Sequence, residues 1–497
     1  MKNLTWQNPE QLFVAQELIN KVKSKCCGIK VYQIVVLLIP IFLSPYLAQT
    51  LGPKNLGIYG YIYSVCNIIS TISLIGSYNF GIRQIAYYRD NIKQFTSFFW
   101  ELFWLRLILG CISLIIYFTI AYISDYFIYF ILFSGWLIAS IIDTSWLFIG
   151  MEDMKPTILK NFLVKISSII LIFLAVKQEE DLYIYILIMS MTMFISTSIL
   201  LFQIKKYIKK ITLTLKNQIL HIKGSIMLFL PQVAILLYLQ IGKILIETIT
   251  HDIKQVAFYD MGEKIITIPL TFITVLSTVM MPRIANNYIN NNKNSIKILL
   301  EKAGQISLMF AIPMCFGIAI CAHNLIPWYL GIDFSPSISA IIIMSPIIIA
   351  NSLIGISGNQ YFTATNQIKI LTYSYFSALI VNIILNYTLI KNMGFIGAAY
   401  TTTATSFTSL IIQYYFFNKQ LEIKPYLYYI LKYIILSIPM GSSILIYGMY
   451  SSPTYITTLI QIIGGAFIYI SSLLFIKDSL FIELSKRFTQ KINIRIK

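Results

Sequence analysis

Residues 224–250 read GSIMLFLPQVAILLYLQIGKILIETIT, an apolar run whose only charges are Lys243 and Glu247. About twenty apolar residues cross a hydrocarbon core of about 30 Å as a helix. Such runs recur from about residue 31 to the C-terminus. The chain of 497 residues is 57% hydrophobic and 12% charged, with mean hydropathy +0.74. Soluble domains carry about 25% charged residues. The sequence therefore describes an all-α polytopic membrane protein.

Fourteen spans are predicted, at 31–51, 56–79, 97–121, 126–150, 157–176, 182–203, 224–248, 264–282, 303–323, 336–358, 369–390, 395–417, 426–448 and 454–476. With both termini inside, the cytoplasmic segments collect about 30 of the 38 Lys and Arg, and the opposite loops about five. That asymmetry sets the expected orientation, N-in and C-in. It also accounts for the net charge of +18 as topology plus attraction to anionic lipid, with no nucleic-acid partner. Residues 1–30 lack the small-residue exit of a cleavable signal, so the first span is expected to direct insertion. The outer loops are too short for a catalytic domain, and there is no Gly-rich phosphate loop. No enzyme activity, cofactor or metal site is expected: the six cysteines show no ligand spacing, and His221, His251 and His323 are far apart.

A repeat runs through the chain. Segment 56-LGIYGYIYSVCNIISTISLIGSYNFGIRQIAYYRDN-91 aligns without a gap on 256-VAFYDMGEKIITIPLTFITVLSTVMMPRIANNYINN-291, so that Tyr59 answers Tyr259 and Arg83 answers Arg283. Chance similarity of Ile-rich segments is the alternative to duplication. Under duplication the chain divides into a cytoplasmic segment (1–30), an N-lobe (31–203), a basic linker (204–223) and a C-lobe (224–417). Two appended helices (418–476) and a basic tail (477–497) follow. Parallel repeats place a substrate path between the lobes and permit rocking between two open states.

The stretches PYLAQTLGPKNLGIYGY (45–61), GSYNFGIRQIA (76–86), WLFIGMEDMK (146–155), VAFYDMGEKI (256–265), MPRIA (281–285), YLGIDF (329–334) and GFIGAAYTTTAT (394–405) together resemble the O-antigen and capsule repeat-unit flippases. These belong to the multidrug/oligosaccharidyl-lipid/polysaccharide exporter superfamily. The resemblance implies a MATE-like fold in a bacterial inner membrane. Its implied cargo is an undecaprenyl-diphosphate-linked oligosaccharide moved from the cytoplasmic to the outer leaflet, with H+ or Na+ as coupling ion. Implied partners are membrane lipids, a polysaccharide polymerase and a chain-length regulator. The chain departs from the family at Gln49, where many relatives have arginine, and at Gly242-Lys243, where many have an acidic–basic pair. The alternatives are a MATE-like drug or cation antiporter, favoured by an acidic residue deep in the N-lobe such as Asp143, and a membrane polysaccharide polymerase.

Charges at membrane depth are the candidates for the path. At about 1.5 Å per residue, Arg106 lies about 14 Å into span 3, near the midplane, unless it snorkels inward. Lys165 and Asp143 fall at matching depth on consecutive spans and are expected to pair, as structure or as site. Arg83 and Arg283 sit at the inner interface, as anchors or as receivers of a diphosphate. Gln49 completes the path set. Lys243 is placed about 30 Å from the inner start of its span, at the outer mouth, with Glu247 one turn further as an i, i+4 partner. The two are read as a gate.

Overall fold

The computed structural model describes residues 9–208, 218–278, 281–290, 292–422 and 426–486. The middle of the predicted linker, the first eight residues and the end of the tail lie outside them. The regular structure of the described residues is helical throughout.

The N-terminal half holds α1 (Pro9–Ser73), α2 (Ser77–Tyr88), α3 (Ile92–Ile123), α4 (Phe127–Ile142), α5 (Ser145–Gly150), α6 (Lys155–Ala175) and α7 (Leu182–Phe202). Within α1, Gly52 takes φ 70 and ψ 175, a backbone region open to glycine and closed to most other residues. The helical path breaks there, where the first two predicted spans meet. The second half holds α8 (Gln218–Thr250), α9 (Ile253–Thr278), α10 (Met281–Ile289), α11 (Lys293–Tyr329), α12 (Ser337–Met344), α13 (Ile347–Ile354), α14 (Ile368–Met393) and α15 (Phe395–Leu421). A π-helical turn, Gly355–Phe362, continues α13. The last two helices, α16 (Leu427–Met449) and α17 (Tyr455–Phe475), pack on each other and on α11.

The repeat is visible in this order. In each half a long helix leads into a short one (α2 and α10) and then into a long one (α3 and α11). Each of those last helices starts at an asparagine cap: Asn91 accepts from the Gln94 amide and Asn292 from the Ser295 amide. Each half then has a broken helix, α4–α5 and α12–α13. The protein thus has two lobes related by a parallel pseudo-repeat, plus two C-terminal helices.

A helix lies on each of the fourteen predicted segments, but fewer meet the length and hydropathy of a membrane span. Ten helices do among the described residues, or eleven with the α12–α13 pair bent by 41°. Helices α9 and α15 do not. Helix α9 carries Asp260, Glu263 and Lys264, and α15 the run YTTTATSFTS. Each turns a polar face inward, with Asp260 on α9 and Thr401, Thr402 and Thr405 on α15 buried, while Phe272 and Ile411 are exposed. The lipid-facing side is the reverse of a soluble surface: Ile115, Ile123, Ile463 and Phe467 are all exposed, as expected where the surroundings are hydrocarbon.

The lobes meet along α1, which packs on both α8 and α9. Gly57 makes this contact close. A Cβ at that position would fall 2.0 Å from the Ile253 carbonyl oxygen, so only glycine allows the two backbones to approach. One buried apolar core runs across the junction, from Leu47, Ile62 and Phe133 to Val256, Ile266 and Ile341.

Candidate functional site

The close contact of α1 with α8 and α9 encloses a charge cluster. Lys243 on α8 reaches Asp260 Oδ1 at 2.5 Å and Glu263 Oε2 at 2.8 Å, both on α9. The second Asp260 oxygen takes Lys264 at 2.7 Å. Asp260 and Lys264 are one helical turn apart, so a single carboxylate bridges two lysines. Lys243 and Asp260 are each 5% exposed, whereas the Glu263 side chain is 20% and that of Lys264 44% exposed. Two lysines and two carboxylates leave the cluster formally neutral. Buried charge in a chain like this survives when paired.

Polar and aromatic groups surround it. From the N-lobe, Ser64 donates to Gln240 Oε1 at 2.9 Å, three residues before Lys243. From the C-lobe, Tyr259 and Thr402 share a hydrogen bond of 2.7 Å, and Asn386 donates to Asn382, which donates to Thr405. Tyr59 packs its ring on Tyr185 at 4.7 Å. Chemically, Lys243 can accept another anion only in exchange for one of these two carboxylates.

The expected pairing of Lys243 with Glu247 is not formed. Lys243 turns to α9, and Glu247 instead accepts from Tyr126 of the N-lobe at 3.0 Å. Lys243 also stands seven residues, about 10 Å, inside the end of its apolar segment Phe229–Thr250. The physical reason is that Asp260 and Glu263, predicted to lie in a loop, are in helix α9 and offer Lys243 two carboxylates at once.

Arg106 is 1% exposed and spends its guanidinium on structure. It donates to Ser140 O at 2.8 Å, Ile141 O at 3.3 Å and Ser77 Oγ at 3.3 Å. Those carbonyls belong to the last turn of α4, where the helix stops short of α5 and leaves acceptors without amide partners. Asp143, at the same break, accepts from Lys160 Nζ at 2.8 Å and from Ser145 Oγ at 2.6 Å. Lys160 therefore takes the place expected for Lys165, which lies half-buried on α6 with no ion pair among the described residues. Lys160 sits one helical turn closer to the α4–α5 break, where the carboxylate is.

The remaining candidates lie at the two ends of the molecule. Arg83 and Arg283 are exposed on the short helices α2 and α10. Arg83 covers the Tyr87 ring, and Arg283 lines an open pocket of about 440 Å³ with Asn286 and Asn287. Gln49 crosses the lobe junction at the opposite end, donating to the carbonyls of Trp328 and Tyr329 at 3.0 and 3.2 Å. It also borders a polar pocket of about 520 Å³.

Sequence reasoning missed Asp260, Glu263 and Lys264 as a site, because an apolar window starts the eighth span at 264. The signal was nonetheless present in the repeat. Its alignment starts the second span at 56, and the same offset starts the eighth at 256, which brings the acidic pair inside the helix.

The apolar helices and the fold define a polytopic membrane protein. A lipid II flippase, MurJ, in an inward-closed conformation superposes with a TM-score of 0.66 at 16% identity, over 91% of this chain and 99% of that one. An inward-facing multidrug-resistance MATE transporter superposes with a TM-score of 0.63 at 14% identity, over 79% and 94%. The family described as "Polysaccharide biosynthesis protein" matches residues 27–288, and the chain belongs to that family. A protein of Escherichia coli (strain K12) named "Putative O-antigen transporter" is 25% identical over 395 residues, 77% of this chain and 94% of its own length. The "Probable low-salt glycan biosynthesis flippase Agl15" of Haloferax volcanii is 22% identical over 171 residues, 34% of this chain and 36% of its own.

Proposed function

We propose that the protein is a flippase for polysaccharide precursors, and that its cargo is an undecaprenyl-diphosphate-linked oligosaccharide. The observation that carries this reading is Lys243, a buried cation at the lobe junction held by two carboxylates that can be exchanged. The diphosphate takes Lys243 when Glu263, the more exposed of the two acids, is protonated and turns away. Return of that carboxylate expels the lipid, which makes a proton the coupling ion. The prenyl tail stays in hydrocarbon throughout. Rocking of the two lobes about the α1 contact exposes the cluster to each leaflet in turn.

Arg83 and Arg283, on repeat-related helices at the end we take as cytoplasmic, receive the diphosphate first. The chain sits in the bacterial inner membrane with both termini inside, its positive loops following the usual rule. Relatives named as an O-antigen transporter and a glycan flippase support the cargo class. The antiporter alternative calls for a free acid deep in the N-lobe. Asp143 is instead neutralised by Lys160, which weighs against it.

Deletion in the native host tests the reading. The expected result is a single lipid-linked repeat unit accumulating on the cytoplasmic leaflet while surface polysaccharide disappears. Normal surface polysaccharide with altered drug sensitivity would contradict it.

A further inference from the structure

An aromatic cluster of the N-lobe faces the charge cluster of the C-lobe. Tyr59 and Phe133 form its buried floor, with ring centroids 5.9 Å apart. Tyr63 and Trp136, half-buried, form its edge: their rings meet at 5.8 Å and 66°. Trp136 lies parallel to Phe133, at 5.8 Å and 10°, so its ring is held at a fixed tilt. Tyr63 precedes Ser64, whose hydroxyl bonds Gln240 on the turn of α8 before Lys243. That bond, and Gly60 one turn earlier, where a Cβ would lie 3.9 Å from the Asp260 carboxyl, hold this stretch of α1 against the charge cluster.

The polar tips of this pair are unused. Tyr117 donates to Phe130 O and Tyr329 to Ile41 O. Among the described residues, neither the Tyr63 hydroxyl nor the Trp136 indole N–H has a hydrogen-bond partner. Tyr63 stacks on Tyr59 at 6.0 Å and 27°, so the pair presents two rings fixed by their neighbours, with two donor tips, on the N-lobe side of the junction. An aromatic face is electron-rich and attracts the polarised C–H groups of a pyranose ring, while the tips suit its hydroxyls.

We propose that Tyr63 and Trp136 form a sugar subsite that receives the first pyranose of a lipid-diphosphate-linked glycan. This rests on the flippase reading and divides its labour: Lys243 on the C-lobe holds the diphosphate and the N-lobe rings stack on the sugar attached to it. Because the two parts sit on different lobes, only a cargo carrying both groups bridges the junction. The bare lipid carrier, returned after its glycan is consumed, engages one half alone.

The test uses the full chain in lipid nanodiscs and two probes, undecaprenyl diphosphate and undecaprenyl-diphosphate-linked N-acetylglucosamine. Wild-type protein is expected to bind the sugar-bearing probe about fivefold or more tighter than the bare one. Trp136→Ala and Tyr63→Ala bring that ratio close to one and leave bare-lipid affinity unchanged, which also shows that these variants fold. Trp136→Phe keeps the preference, and Lys243→Gln weakens both probes. A ratio unchanged by Trp136→Ala and Tyr63→Ala, with bare-lipid binding intact, overturns the subsite and leaves the flippase reading standing. Failure of wild-type protein to bind either probe overturns both.

Discussion

Replacing Lys243 with methionine keeps the length of the side chain and removes its charge. Asp260 and Glu263 are then left facing each other with Lys264 alone, and the cluster becomes net negative in a buried place. Removing one partner of a buried ion pair costs about 3–5 kcal/mol. Here Glu263 is 20% exposed and can rotate toward water, and Lys264 still holds Asp260 at 2.7 Å. The expected loss is therefore at the low end, about 3 kcal/mol. The double variant Lys243→Met/Glu263→Gln restores formal neutrality and should recover about 1–2 kcal/mol of it. Reversible unfolding in SDS–detergent mixed micelles, followed by tryptophan fluorescence, measures both. A loss below about 1 kcal/mol for the single variant, or a double variant no more stable than the single, would refute the idea of a tightly coupled cluster.

Arg106→Leu leaves the Ser140 and Ile141 carbonyls without their donor and should cost about 3 kcal/mol; the same unfolding measurement checks it, while undecaprenyl-diphosphate affinity stays within about twofold. Gly57→Ala places a methyl 2.0 Å from Ile253 O and should destabilise by at least about 1–3 kcal/mol, read as a lower unfolding midpoint. Asp153 accepts from Tyr207 at 2.6 Å and from Lys206 at 3.0 Å. The Tyr207 hydrogen bond chiefly holds its carboxyl below the usual range. A depressed carboxyl stabilises above its ordinary value of 3.8, and that contribution is lost as pH falls from there through the folded value. Asp153→Asn should flatten the thermal midpoint's fall as pH drops below about 4.

Much of this architecture could be read from the chain because membrane helices are written in hydropathy. A run such as 224–250 has few other solutions in lipid, and the pairing of Tyr59 with Tyr259 places α1 and α9 in equivalent positions. The site was less legible, for a reason of direction. Sequence gives the depth of a charge at 1.5 Å per residue, but not the way its side chain turns. Arg106 is expected near the midplane; in the structure it is buried and points at the broken end of α4, a break that the apolar run FIYFILFSGWLIASII does not announce. Lys160 and Lys165 differ by one turn, and only the position of that break decides which meets Asp143. Asp260 and Glu263 escaped because hydropathy counts them against a span, although a partner across the lobes makes their burial feasible. Charged residues that mark such a site are the ones that blur the helix carrying it.

The central claim is that Lys243 and its carboxylates carry a diphosphate lipid across the membrane. Its most direct measurement is translocation of a fluorescent undecaprenyl-diphosphate-linked oligosaccharide in proteoliposomes holding the purified chain, scored by protection of the label from an external quencher. The account predicts that wild-type protein moves the lipid, that an imposed pH gradient changes the rate, and that Lys243→Gln and Glu263→Gln each abolish the gradient-driven movement. Undiminished movement by Lys243→Gln, or none by wild-type protein, would contradict it.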